Sequence, residues 1–118
     1  MKKKNDIKIL KGEIVYSKNI EGKAIIIKKD EDISKLIKTR IKNRILVIHS
    51  LEPKISIFLP KVKGIICDKG GMFSHAATVA RELFIPCIVN TKKATRLIKN
   101  DDYVIIDRNG NIWLRRKK

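Results

Sequence analysis

One short stretch of the chain brings together the residues best suited to chemistry. Gly70 and Gly71 form a tight turn, and Ser74 and His75 follow it after two residues. Serine is a favoured helix N-cap, so the pattern predicts that Ser74 caps a helix and that His75 lies in its first turn. Free backbone N–H groups and the helix dipole favour an anion there, and glycine lets the backbone come close to it. This arrangement suits a nucleophilic imidazole that takes up a phosphoryl group.

The same residues also have simpler interpretations. A single histidine is more often a structural or solvent-facing residue than a nucleophile, and a glycine loop before a helix is a common arrangement. His49, the second imidazole, is expected to be a structural residue or to lie at the edge of a pocket. The local pattern alone therefore leaves the carrier and structural interpretations of His75 open.

The elements on either side must position this stretch. The apolar run at residues 64–67 predicts a strand that leads into the glycine turn, and the Ala, Val, Glu and Leu content after His75 predicts a helix. The helix must end near Ile85, because a residue before proline is pushed towards extended geometry. The sequence predicts strand, glycine loop and helix in that order.

The rest of the chain alternates short predicted strands and helices. Strands are expected at residues 8–10, 13–16, 22–28, 44–49 and 87–89, with a turn at 11–12 between the first two. A closing hairpin is expected to join 103–107 to 112–114 around Asn109 and Gly110. Helices are expected at 33–42, within 50–59 before a break at Pro60, and at 91–98. This order predicts a mixed α/β fold.

For two of these helices the sequence also predicts the positions of particular side chains. Asp30 or Asp32 is a candidate N-cap for the helix at 33–42. That helix has an apolar stripe expected to face the core, formed by Ile33, Leu36, Ile37 and Ile41. The segment 50–59 is expected to turn three side chains inward, those of Ile55, Phe58 and Leu59.

Length and charge bound the class of protein. The chain has 118 residues, which suits one domain with a single core, and residues 1–118 are expected to form it. Lys and Arg total 28 against 12 acidic residues, a formal net charge of +16. Such a charge attracts nucleic acid, anionic membranes or acidic proteins. Lysine is abundant throughout and aromatics are few, so a solvated lysine surface, with residues 115–118 as a frayed basic end, is favoured over nucleic-acid binding.

Several classes of site are not expected. No stretch is long enough to span a membrane, and neither a Walker glycine-lysine loop nor carboxylates paired at acid/base spacing are present. Cys67 and Cys87 have no partner at ligand spacing, so the sequence predicts no metal site, two core thiols and a reducing cytoplasmic setting. The scattered acidic residues are expected at surface or capping positions, namely Asp68, Glu82, Asp101, Asp102 and Asp107.

Residues 64–86 resemble the signature of the phosphohistidine swivelling domain, the mobile domain of phosphoenolpyruvate-utilising enzymes. Pyruvate phosphate dikinase, phosphoenolpyruvate synthase and enzyme I of the sugar phosphotransferase system are examples. The family's ordered elements are Gly-Gly, Ser-His-Ala-Ala, Ala-Arg-Glu-Leu and Ile-Pro, here at 70–71, 74–77, 80–83 and 85–86. The resemblance extends to Gly-Lys-Ala at 22–24, Ile-Leu-Val at 45–47, Pro53 and the Asp-Arg-Asn-Gly turn at 107–110.

The resemblance implies a single compact β/β/α swivelling domain in which His75 is transiently phosphorylated and relays phosphate to an acceptor. In relatives, the segment 50–59 brackets the phosphohistidine. The candidate phosphate- or substrate-binding residues are Gly70, Gly71, Ser74 and Arg81, with a surface salt bridge to a nearby acidic residue as the alternative role of Arg81. Helix geometry adds Thr78, three residues after His75. The implied partner is an ATP-grasp-like domain or a phosphoenolpyruvate-binding barrel, with ATP or phosphoenolpyruvate as the indirect donor. Mg²⁺ is expected on that partner, and no cofactor is expected on this chain alone.

The chain departs from the family pattern at four positions. Members often have Thr near the positions of Leu51, Cys67 and Phe73, and Gly at that of Phe84. The loss of three hydroxyls favours an alternative, a non-catalytic docking or regulatory module of the same fold. A basic nucleic-acid-binding protein is a second alternative. The intact Ser-His pair and the arginine that follows it favour the phosphoryl carrier.

Overall fold

The computed structural model describes residues 3–28 and 33–115. Within these residues the strands are β1 (Asp6–Lys11), β2 (Glu13–Tyr16), β3 (Ile20–Ile27), β4 (Ile45–Ile48), β5 (Gly64–Cys67), β6 (Cys87–Val89), β7 (Tyr103–Ile106) and β8 (Asn111–Arg115). The α-helices are α1 (Ser34–Lys38), α2 (Pro53–Ser56), α3 (His75–Leu83) and α4 (Ala94–Leu97), and a 3₁₀ helix spans Leu59–Lys61. The longest helix, α3, follows directly from the glycine loop.

All these strands form one curled sheet in the order β1-β8-β7-β3-β4-β5-β6-β2. Strands β3 to β6 run parallel, while β2, β7, β8 and β1 join antiparallel on either side. Parallel strands are usually covered on both faces, and every residue of β4 and β5 is buried. This covering explains why the two strands are continuous apolar runs rather than alternating ones.

Alternate residues of the central strands build two apolar clusters, one on each face of the sheet. Leu46, Ile48 and Ile65 pack with residues of α1, α2 and α3. Val47 and Ile66 pack on the other face with α4 and the β7–β8 hairpin. The fold is therefore a compact mixed α/β domain, which confirms the predicted β/β/α swivelling class.

The strand predictions are confirmed to within two residues, including the closing hairpin. The two strands joined at residues 11–12 do not pair with each other, because β1 and β2 lie at opposite edges of the sheet. Gly12 makes this crossing possible. A Cβ there would lie 2.5 Å from Cγ2 of Ile88 and 2.7 Å from the carbonyl oxygen of Val89.

The helix predicted at residues 33–42 is shorter than expected, and α1 ends at Lys38. Leu36 and Ile41 are buried, but Ile37 is 69% exposed, so the prediction that it faces the core was wrong. A helical residue lies about 100° around the axis from its neighbour, which carries Ile37 past the edge of the apolar stripe. Ile33 stands at the N-cap position without a side-chain cap, and the expected caps Asp30 and Asp32 lie outside the described residues.

The segment that contains Pro60 also differs from its prediction. Helix α2 already ends at Ser56, and Pro60 lies inside the 3₁₀ helix, where proline is tolerated in the first turn. Ile55 and Leu59 are buried and Phe58 packs against them half-buried, so the inward-facing prediction is confirmed. Helix α4 begins three residues later than expected, after Lys92 adopts a left-handed φ of 68°.

Asp107, expected at a surface or capping position, caps the β7–β8 turn, whereas Arg115, expected in a frayed end, belongs to a strand. Asp107 is 9% exposed and accepts hydrogen bonds from the Asn109 and Asn111 amides and from Trp113 Nε1. Burial raises the pKa of the Asp107 carboxyl, but these hydrogen bonds outweigh it and hold the pKa below the ordinary 3.8. Arg115 belongs to β8 and pairs with Asp6 at 3.0 Å. Residues 116–118 lie outside the described part of the chain.

Candidate functional site

Ser74 caps α3 as predicted. Its Oγ accepts the Ala77 N–H at 3.2 Å, and its backbone is extended, with φ −68° and ψ 164°. The first turn of the helix contains no acidic residue, so no helix side chain there opposes an incoming anion. His75 is the first helical residue, and its side chain is exposed at this electropositive end.

The two glycines before the cap have different structural roles. Gly70 has a left-handed φ of 93°, and a Cβ there would lie 2.8 Å from Cβ of Ser74. Any side chain at 70 would therefore disturb the cap itself. A Cβ built on Gly71 meets nothing within 4 Å. Gly71 thus borders open space beside the start of α3.

Ser56, at the end of α2, contacts the His75 imidazole. Its Oγ lies 3.3 Å from Nε2. If the hydroxyl donates, the ring proton is on Nδ1, and if it accepts, Nδ1 carries the free lone pair. Sequence reasoning did not single out Ser56, because a serine in a four-residue helix has no local signature. The only signal was that segment 50–59 brackets the histidine in relatives.

Thr78 and Arg81 reach back towards the same end of α3. The exposed Thr78 hydroxyl donates to the Ser74 carbonyl at 3.2 Å. The Arg81 guanidinium donates to the Met72 carbonyl in the glycine loop. This bond shows that the side chain runs towards the helix N-terminus, as helix geometry favours. Among the described residues no ion pair is found for Arg81, whose alternative role was a surface salt bridge.

Asp68 anchors the start of the glycine loop. It was expected at a surface or capping position, and it takes the capping one, at the start of α4. Its side chain is 4% exposed and accepts from the Ala94 amide at 2.7 Å and from the Thr91 hydroxyl at 2.8 Å. Thr95 donates to its second oxygen through both amide and hydroxyl. His49 lies behind the loop with Nδ1 4.0 Å from that oxygen. The carboxylate therefore faces α4.

The three positions at which the family often has threonine differ in exposure. Leu51 is half-buried against the core, and Phe73 is 96% exposed. Cys67 is buried and donates its thiol hydrogen to the Lys69 carbonyl at 3.1 Å. Burial raises the pKa of the Cys67 thiol to about 11, so it stays protonated at neutral pH. Both cysteines are buried free thiols, as predicted.

Two kinds of feature are absent from the described residues. No group of three or more His, Cys, Asp or Glu side chains among them is placed to hold a metal ion. None of the helices they form is long and apolar enough to cross a membrane.

The relatives that match by sequence point to one family. Phosphoenolpyruvate synthase of Pyrococcus furiosus is 41% identical over 76 residues, which are 64% of this chain and 9% of that protein. Phosphoenolpyruvate-protein phosphotransferase of Buchnera aphidicola is 46% identical over 70 residues, or 57% of this chain and 12% of that protein. This chain thus spans only about a tenth of the length of these relatives.

A solved structure gives the same result. A solution NMR structure of an Enzyme I protein superposes with a TM-score of 0.55 and 29% identity, over 65% of this chain and 32% of that one. Residues 41–110 match the family described as PEP-utilising enzyme, mobile domain. That match includes β4, β5, the glycine loop and α3. The chain therefore belongs to the mobile-domain family of phosphoenolpyruvate-utilising enzymes.

Proposed function

We propose that this chain is a phosphoryl carrier in which His75 is transiently phosphorylated. The observation that carries the proposal is the exposed imidazole in the first turn of a capped helix, directly after the glycine loop. The family supports it, because matched relatives are named phosphoenolpyruvate synthase and phosphoenolpyruvate-protein phosphotransferase. The proposal takes residues 1–118 as one carrier domain.

In the transfer step, the unprotonated ring nitrogen of neutral His75 attacks the phosphorus of the donor in line. A P–N bond forms while the P–O bond to the leaving group breaks, and the electron pair leaves with that oxygen. When Nε2–H donates to the Ser56 hydroxyl, this bond holds the ring while Nδ1 attacks. When the hydroxyl instead donates to Nε2, that bond must break before Nε2 can attack. Transfer to the acceptor reverses these steps, with the acceptor oxygen forming the new P–O bond.

The residues around His75 stabilise the phosphorylated form in this proposal. The open side of Gly71 gives room for the phosphoryl oxygens to approach the backbone, and Gly70 shapes the turn. Ser74 holds the helix start, and Thr78 adds a hydroxyl one turn further along the helix. Arg81 has five N–H donors, so its bond to Met72 leaves others to meet phosphate.

The donor site is assigned to a partner. We propose an ATP-grasp-like or phosphoenolpyruvate-binding domain or chain that holds the donor with Mg²⁺, while this chain binds no cofactor alone. This chain matches only about a tenth of the relatives' length, which supports a donor site outside this chain. We propose the cytoplasm as the compartment, since both cysteines are free thiols.

One observation favours a second candidate, a docking or regulatory module that does not transfer phosphate. Phe73 places an exposed aromatic ring two residues before His75, where carriers often have a threonine. Such a ring suits protein contact better than contact with phosphate. A nucleic-acid-binding role remains the third candidate and predicts affinity that falls steeply with salt and does not depend on His75.

Labelled donors separate these candidates. Purified tagged chain is mixed with a desalted extract of its native cells and with ³²P-labelled phosphoenolpyruvate or γ-³²P-ATP. We expect label that is lost in acid and retained in alkali, absent in His75→Ala and present in His49→Ala. The donor that labels the chain identifies the class of partner. Equal labelling of the two variants, or no labelling from either donor, contradicts the carrier proposal.

A further inference from the structure

A groove lies between α1 and the 3₁₀ helix, outside the His75 site. It is a cavity of about 770 Å³, within the size range of pockets that bind ligands or short peptide segments. We call it the basic groove, and its lining residues are Leu36, Ile37, Thr39, Arg40, Ile41, Lys42, Asn43, Phe58, Pro60, Lys61 and Val62. Neither His75 nor any residue of the glycine loop belongs to it.

The two walls of the basic groove are joined by backbone hydrogen bonds. The Asn43 amide donates to the Lys61 carbonyl at 3.4 Å, and the Lys63 amide donates to the Arg44 carbonyl at 2.8 Å. These bonds lie where the walls meet β4 and β5, the rigid centre of the sheet. The two walls are therefore joined at the sheet end of the groove without a ligand, and such preorganisation lowers the entropy lost on binding.

The side chains that line the groove are apolar at its floor and cationic at its rim. Leu36, Ile41 and Val62 are buried and form the floor, and Phe58 packs half-buried beside them. Ile37 is 69% exposed at the edge and extends the apolar surface of the floor. Binding of an apolar group there would bury this surface.

Three cations surround this apolar surface, and none of the described residues that line it is acidic. Arg40, Lys42 and Lys61 are all exposed. Their positive potential adds to a formal net charge of +16 for the whole chain. An occupant must therefore offer apolar groups to the floor and negative groups to the rim.

We propose that the basic groove binds an acidic amphipathic segment of a partner protein. Glu or Asp side chains of the segment meet Arg40, Lys42 and Lys61, and aliphatic side chains cover Ile37 and the floor. Nucleic acid fits less well, because Phe58 is the one aromatic side chain among the described lining residues and is half-buried, which leaves little aromatic surface for stacking on bases. The inference goes beyond the phosphoryl-carrier proposal and does not depend on it.

The probe is a synthetic helical peptide of about 12 residues, with Leu at i, i+3, i+4 and i+7 and Glu at most other positions. Binding to the full chain is followed by the anisotropy of a fluorescein label and by amide chemical shifts. We expect saturable binding that weakens with salt, with shifts concentrated at residues 36–43 and 58–62. A peptide with Lys in place of Glu serves as the charge control.

Matched variants distinguish a specific groove from general charge attraction. Lys42→Glu with Lys61→Glu is expected to weaken peptide binding about tenfold or more. Lys8→Glu with Lys18→Glu makes the same change of net charge at exposed positions outside the groove, and binding is expected to stay within about twofold of wild type. Ile37→Ser tests the apolar contact and is expected to weaken binding without lowering stability.

Three results overturn the inference. The first is no binding of the acidic peptide, and the second is equal weakening in the two charge-reversed pairs. The third is displacement of the peptide by a single-stranded RNA or by anionic phosphatidylserine vesicles that bind more tightly at the same residues. Loss of phosphorylation at His75 has no bearing on any of these results, so the two proposals fail independently.

Discussion

Asp68→Asn tests whether the buried carboxylate anchors the glycine loop. Each carboxylate oxygen accepts two hydrogen bonds, one of them from a backbone amide: Ala94 to Oδ1 and Thr95 to Oδ2. Asparagine has the same shape but only one accepting oxygen. Its NH₂ group must therefore face one of the two amides, neither of which can accept a hydrogen bond.

The expected loss of unfolding free energy follows from this count of hydrogen bonds. A buried N–H without an acceptor costs about 1–3 kcal/mol, and replacing charge-assisted bonds by neutral ones adds about 1 kcal/mol. The sum is about 2–4 kcal/mol of unfolding free energy. For a domain of this size that corresponds to a fall in Tm of roughly 8–16 °C.

Urea and thermal unfolding followed by circular dichroism measure the change, with Asp101→Asn as the matched control. The Asp101→Asn substitution removes the same charge, but from a side chain that is 68% exposed and pairs with Arg44. Its left-handed φ of 71° also suits asparagine. The control is expected to lose less than about 1 kcal/mol. A loss from Asp68→Asn as small as that of the control would refute the anchoring role.

Three further predictions concern groups away from the imidazole. The folded pKa of Asp107 lies below its ordinary 3.8, so its stabilising contribution is complete above the unfolded pKa and is lost as pH falls through the folded one. Asp107→Asn should therefore flatten the loss of stability to urea as the pH falls below 3.8, and an unchanged slope would exclude Asp107 as a source of this loss. Burial raises the pKa of Cys67 to about 11 and of Cys87 to about 12, so iodoacetamide at pH 8 should label both thiols only after unfolding, as mass spectrometry would show. Phe84 ends α3 with a left-handed φ of 55° and packs its ring edge-on against Tyr16. Phe84→Gly should stay within about 1 kcal/mol of wild type, because relief of strain offsets the lost contact, whereas Phe84→Ala should lose about 1 kcal/mol more; equal stabilities would contradict the strain.

The parts of the fold that local chemistry determines could be predicted from the sequence. The Ser74 cap, the end of α3 before Pro86 and the hairpin around Gly110 each depend on residues within a few positions of one another. The continuous apolar run of β5 similarly indicates a strand buried on both faces. These features gave the strand, loop and helix that surround His75.

The features that sequence reasoning missed depend on distant contacts. Ser56 reaches His75 across 19 residues, and Asp68 meets the start of α4 some 26 residues away. No local pattern predicts either contact. The exposure of Ile37 was missed for the same reason, because it too depends on distant contacts. Periodicity predicts an apolar stripe on the helix, but not how much of that stripe other elements cover.

The most direct test of the carrier proposal is mass spectrometry of the chain isolated from its native cells and kept at neutral to alkaline pH. The account predicts acid-labile phosphate on His75, absent in His75→Ala and retained when His49 is replaced by alanine. No phosphate on His75 in cells supplied with phosphoenolpyruvate and ATP would contradict it and favour the docking module.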